Sequence, residues 1–174
     1  SCSPAGGLVH RPPTAEAGSI SMLRQKLNDS LKDSLKKREQ RAVSTLRLIL
    51  AALKDRDIDA RGRGVEGGLT EEEILSLLQT MIKQRRESIA QYEKGGRPDL
   101  MQQEAEEIEV IESFLPRQLS EAEFAAAVSE AITETGATGL KEMGKVMAVL
   151  KPKHAGRMDF GKASAAVKAR LGGS

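Results

Sequence analysis

The sequence predicts an all-α protein, and three observations carry that prediction. Only 2% of the 174 residues are aromatic, and tryptophan is absent. Strand-forming side chains are scarce while Ala, Leu, Glu, Lys and Arg dominate, which disfavours a sandwich or barrel and favours helices. Apolar residues recur at three- and four-residue spacing in seven stretches, with glycine, proline and capping residues between them. The expected architecture is an N-terminal bundle of about four helices over residues 20–115, followed by a small three-helix tail domain over residues 116–174.

The elements follow in order. Leu23, Leu27, Leu31 and Leu35 recur every fourth residue and mark one face of a first helix. Ala42, Leu46, Ile49, Leu50 and Leu53 line a second, expected to end near Asp59. Four glycines between residues 60 and 69 make a flexible loop. Thr70 with Glu73 forms a capping box, and a long amphipathic helix follows through Ile74, Leu78, Met81, Ile82, Ile89 and Tyr92. Gly95 and Gly96 stop it, and Pro98 opens a fourth helix carrying Met101, Ala105, Ile108 and Leu115. Pro116 breaks the fourth, and Ser120 with Glu123 caps a fifth through Phe124, Val128 and Ile132. Met143, Val146, Met147 and Leu150 mark a sixth, ended by Pro152 and Gly156. Phe160, Ala163, Val167 and Leu171 mark the seventh. The tail's short helices give it a marginal core, so it is expected to move relative to the bundle.

Residues 1–19 are rich in Pro, Gly, Ala and Ser and lack the basic and apolar regions of a secretory signal. They are expected to be a disordered or vector-derived leader, with helical pattern beginning at Met22. No apolar run reaches the length of a membrane span. Both absences point to a cytoplasmic setting. One cysteine, at position 2, and two histidines, His10 and His154, leave no disulfide framework, metal site or His-based triad to be drawn. No catalytic residue, metal or cofactor is assigned.

The net charge of +2 conceals segregation. Residues 20–63 carry twelve Lys and Arg against six Asp and Glu, and residues 64–115 carry five against twelve. Residues 116–135 carry one against four, and residues 136–174 eight against two. Basic blocks at both ends suggest an anionic partner. For the first block, neutralisation by the acidic third and fourth helices is the more economical expectation. For the last, no acidic stretch of matching size lies nearby. Lys141 and Lys145 stand one turn apart, opposite the apolar face of the sixth helix, and Lys151, Lys153 and Arg157 follow. Ammonium groups and a guanidinium fork are what phosphate oxygens require. Gly144 costs a helix roughly 1 kcal/mol against Ala. It is expected where a packed helix or a phosphate backbone comes close.

Two charges interrupt apolar stripes, Arg85 on the third helix and Glu112 on the fourth. Unpaired buried charge is too costly to persist. A structural ion pair of Arg85 with Glu112 or Glu104 is expected inside the bundle. Residues 62–67 match the spelling G-x-G-x-x-G but follow a helix rather than a strand, so they read as a loop. The acidic run from Glu104 to Glu112 spreads around its helix and reads as a solvated face.

Several segments together resemble the GatB/YqeY family. They are Leu46-Arg47-Leu48-Ile49, Leu69-Thr70-Glu71-Glu72-Glu73, residues 82–89 (IKQRRESI), residues 114–120 (FLPRQLS) and Met143-Gly144-Lys145-Val146-Met147, with Pro152-Lys153 and Gly156-Arg157 beyond. The resemblance covers residues 22–172. It implies a free-standing relative of the helical and tail region of the B subunit of glutamine-dependent tRNA amidotransferase, whose tail holds the outer body of tRNA. Neither the transamidation site nor the glutaminase of that enzyme has a counterpart here. What the resemblance implies is a non-catalytic accessory protein binding tRNA or another structured RNA. The rival expectations are a protein–protein adaptor and a component of a carbon–nitrogen ligase acting with other subunits. Few aromatics argue against stacking on single strands.

Overall fold

A computed structural model describes residues 22–172, so the expected leader of residues 1–19 lies outside the described residues. The described chain is all-helical. Its elements are α1 (Met22–Lys37), α2 (Gln40–Gly62), α3 (Glu71–Lys94), α4 (Pro98–Glu112), α5 (Glu121–Thr135), a short 3-10 turn (Leu140–Glu142), α6 (Met143–Lys153) and α7 (Phe160–Gly172). Both expected capping boxes form. The Thr70 and Ser120 hydroxyls accept from the Glu73 and Glu123 amides at 3.2 and 3.1 Å, and each glutamate accepts from its cap's own amide at 3.0 Å.

Four helix readings are corrected. In α1, Leu23 and Leu27 are buried, Leu31 is half-buried and Leu35 is 47% exposed. A four-residue repeat drifts by about 40° per step on a helix, so the stripe leaves the core by its fourth member. Ser34, seven residues beyond Leu27, takes the inward place instead. Helix α2 runs past Asp59 to Gly62 because Asp57 and Ala60 are themselves buried. Helix α4 stops at Glu112, and its most buried residue is Ile111, so Leu115 packs from outside the helix. Helix α6 carries Pro152 inside its last turn rather than ending before it.

Two apolar clusters organise the chain. The first gathers Leu27, Leu46, Ile49, Ile74, Leu78 and Ile111 from α1 to α4. The second gathers Val128, Val146, Leu150, Ala163 and Val167 from α5 to α7. Phe114 and Leu115 pack on the first and Leu119 on the second, so the changeover falls at Pro116-Arg117-Gln118. The two clusters are fastened together at one place. The Gln79 amide of α3 donates to the Met158 carbonyl at 2.8 Å, and the Gln118 amide donates to the Gly156 carbonyl at 2.6 Å. Gly156, at φ +75°, lets the chain pass against Leu75, where a Cβ would stand 3.1 Å from that side chain.

Candidate nucleic-acid interface

The C-terminal basic segment is built around α6. Val146 and Leu150 are fully buried, and Met143 and Met147 are half-buried against α5 and α7. At about 100° per residue, the direction opposite that face passes through Ala148. Gly144 and Ala148 are exposed there, with Lys145 and Lys151 on either flank. Lys141 stands in the 3-10 turn before the helix and is also exposed. Among the described residues, none of these three lysines has an ion pair or side-chain hydrogen bond. Gly144 is not a packing site, since a Cβ there would meet nothing within 4 Å. The expectation of close helix packing is therefore corrected: the position is open surface.

The remaining two members are committed in part. The Lys153 ammonium lies 3.4 Å from a Glu134 carboxylate oxygen, with both side chains more than half exposed. Arg157 is half-buried, and its Nε donates to the Arg117 carbonyl at 2.9 Å while its own carbonyl accepts from the Leu119 amide at 3.0 Å. Arg157 thus fastens the 116–119 connection. Beside them, burial holds the His154 imidazole below its ordinary pKa, helped by the Arg157 and Lys153 cations. It stays neutral at pH 7, and its Nδ1 is buried without a partner. Lys162 and Lys168 of α7 are exposed as well.

The charged residues of the bundle pair differently from expectation. Arg85 is inside, but its partner is Glu107, with Nε 3.2 Å from a carboxylate oxygen and side-chain exposures of 13% and 8%. Arg85 also donates to the Met81 carbonyl at 3.1 Å. Glu112 instead meets Arg86 at 3.1 Å on the surface. The α3–α4 hairpin explains the change. Arg85 lies nine residues before Lys94, where α3 ends, and Glu107 lies nine residues after Pro98, where α4 begins. The two antiparallel helices place these positions side by side, and Glu112 falls beyond them. Glu104 is close enough to feel the pair. Burial raises its carboxyl pKa, the Glu107 charge adds to that, and Arg85 opposes it.

A second buried pair has no counterpart in the sequence reading. Arg24 of α1 clasps Asp57 of α2 through both Nη atoms at 2.7 Å and donates to the Leu69 carbonyl at 3.0 Å. Asp57 also accepts from the Leu69 amide at 2.9 Å. Gly68 stands at φ +73° against the Asp57 carboxylate, where any Cβ would collide. Neutralisation of the first basic block by the acidic helices is slight. Arg41 to Glu106, at 3.5 Å, is the ion pair joining it to α4, and among the described residues Arg38, Arg47 and Arg56 have none.

No described helix is long and apolar enough to cross a membrane. The chain is similar to proteins named altered inheritance of mitochondria protein 41, mitochondrial. It is 34% identical to that of Lachancea thermotolerans over 120 residues, 67% of this chain and 59% of the relative. It is 31% identical to that of Kluyveromyces lactis over 97 residues, 55% of this chain and 47% of the relative. An uncharacterized protein of Schizosaccharomyces pombe is 30% identical over 106 residues, 61% of this chain and 82% of the relative. The chain thus spans about half the length of the two mitochondrial relatives. Their names lend the cytoplasmic expectation no support. The segments that resembled a family in the sequence are spread from α2 to α6, and the profile of the YqeY-like proteins matches across all of them, over residues 24–171: the chain belongs to the YqeY-like family.

Proposed function

We propose that this chain is an accessory module that binds tRNA or another structured RNA through its phosphates and does no chemistry of its own. One observation carries the reading. Lys141, Lys145 and Lys151 are exposed, free of carboxylate partners among the described residues, and set around the open Gly144–Ala148 track, in a segment with eight cations against two acids. A phosphate backbone can come close along such a track, and each ammonium it meets releases a condensed counterion. Lys153 would join after leaving Glu134, at little cost because that pair is exposed. Arg157 supports the surface by fixing the connection behind it. With no aromatic side chain on α6, base stacking has no platform, so a folded double-helical surface suits the site better than a single strand.

The test is tRNA binding as a function of salt. Affinity should fall steeply as salt rises, and the log–log slope should decrease by about 0.9 for each phosphate contact removed. Lys145→Ala with Lys151→Ala should therefore flatten the slope by roughly 2 on the same count. Binding indifferent to salt, or unchanged in the double variant, would end the proposal. Whether the RNA is bound in the service of a tRNA-dependent amidotransferase is answered separately, by glutamine- and ATP-dependent conversion of misacylated tRNA that requires this chain.

A further inference from the structure

The other basic block borders a groove of a different character. Where α1 turns into α2, a cavity of about 850 Å³ is lined by Leu35, Val43 and Leu48 and rimmed by Arg38, Arg41 and Arg47. Leu48 also lines a second, smaller cavity of about 340 Å³ running on between α2 and α3, with Ala52, Leu77 and Met81 on its walls. Leu48 lines both, and along α2 the two follow one another as a trough, the first over residues 40–48 and the second over residues 48–56. From Ser44 to Arg56 it follows α2 for about 18 Å at the helical rise of 1.5 Å per residue. That is the length of about three turns of a docked helix.

Two features set this trough apart from solvated surface. Leu35 and Leu48 are each 47% exposed and share one cavity, although they come from different helices. The charge of the wider cavity is also one-sided. Its rim has three guanidiniums, and its acid, Glu107, is already engaged by Arg85. Arg38 and Arg47 are unpaired among the described residues, and Arg41 has only a long pair with Glu106, half in solvent. Arg38 moreover holds φ +57°, a conformation in which glycine would be cheaper by about 1 kcal/mol. That left-handed residue closes α1, with the Glu39 amide donating to the Ser34 carbonyl at 3.0 Å.

We infer that this trough is a docking groove for an acidic amphipathic helix of a partner protein. An apolar stripe on that helix would fill the Leu35–Leu48 floor and continue past Leu48 toward Leu77 and Met81, while flanking Asp and Glu side chains meet Arg38, Arg41 and Arg47. This is the helix-in-groove mode of recognition, read through anchors one turn apart. A single strand of RNA fits poorly here, because aliphatic floors give bases nothing to stack on, and a folded RNA held by its phosphates would leave the leucines unused. The site is separate from the phosphate-binding surface proposed on α6.

The experiment is a selection from a displayed library of helix-forming peptides on the full chain, counter-selected on Leu48→Glu. Enriched peptides are expected to share an i, i+3/i+4, i+7 stripe of Leu, Ile or Met flanked by Asp and Glu. The best of them should lose about tenfold in affinity on Leu48→Glu and again on Arg47→Glu, the loss typical of a central anchor. Both positions are exposed, so the fold should stand, and Arg47→Glu gives the same reading should Leu48→Glu melt early. No enrichment over the counter-selected chain, basic peptides among the winners, or equal binding by both variants would overturn the proposal. So would a loss of tRNA binding, or of self-association, in Leu48→Glu, since either would give the groove to another occupant.

Discussion

Asp57→Ala offers the sharpest test of how α1 is held to the bundle. The substitution removes three hydrogen bonds at once, two from Arg24 at 2.7 Å and one from the Leu69 amide at 2.9 Å. It leaves a guanidinium whose side chain is only 19% exposed with the Leu69 carbonyl as an acceptor, and a backbone N–H that has lost its partner. Breaking one side of a buried pair costs about 3–5 kcal/mol. Arg24 can turn partly toward water, so the lower end applies, about 3 kcal/mol. For a chain of this size that is a fall in Tm of about 10 °C. Urea unfolding of Asp57→Ala, Arg24→Ala and the double variant closes a cycle, in which the double should cost less than the sum of the singles by about 2 kcal/mol.

The same carboxylate sets an acid limb. Its hydrogen bonds from Arg24, with lesser help from the Leu69 amide and the Arg24 charge, hold Asp57 below its usual 3.8. A depressed carboxyl contributes stability that is complete above its unfolded value and is lost as pH falls through the folded one. The gap between the wild type and Asp57→Asn should therefore be constant near neutrality and shrink below about pH 4. A cost under about 1 kcal/mol for Asp57→Ala, strictly additive singles, or a gap that widens in acid would refute the reasoning.

Two further outcomes follow from the pairs. Glu107→Ala strands Arg85 and should cost about 3 kcal/mol by urea unfolding, whereas Arg85→Met with Glu107→Leu should restore stability to within about 1 kcal/mol. Glu123 is held down to about 2, first by the Arg117 guanidinium and then by the Ser120 cap. NMR titration should find it there, and Arg117→Ala should move it back toward the ordinary carboxylate range.

Legibility differed by the kind of interaction. Helices and their starts could be read because they depend on neighbours in sequence: Thr70 with Glu73 and Ser120 with Glu123 need only three-residue spacing. The exposure of Leu35 could not be read from its repeat, because a period of four is not the helical period and the error accumulates. Pair identity was lost for a different reason. That Arg85 needs a partner follows from the stripe it interrupts, but which acid supplies it depends on the register across the α3–α4 turn, and Glu107 belongs to a run whose spacing reads as solvated face. Arg24 and Asp57 stand 33 residues apart and meet through the α1–α2 crossing. The clue in Gly68 becomes meaningful once its left-handed backbone is seen against the Asp57 carboxylate.

The two basic ends of the chain ask for different partners although they carry the same charge. Around α6 the cations surround Gly144 and Ala148, small residues that offer a partner almost no apolar area, so attraction there is Coulombic and must weaken as salt rises. Around α2 the arginines surround two half-exposed leucines, and burying these contributes a part that salt does not screen. Affinity at the groove should accordingly persist at salt concentrations that strip RNA from α6. Measuring both on the same preparation separates the surfaces without any substitution. If one salt dependence described both, the leucines would be contributing nothing and the groove would be a second phosphate track.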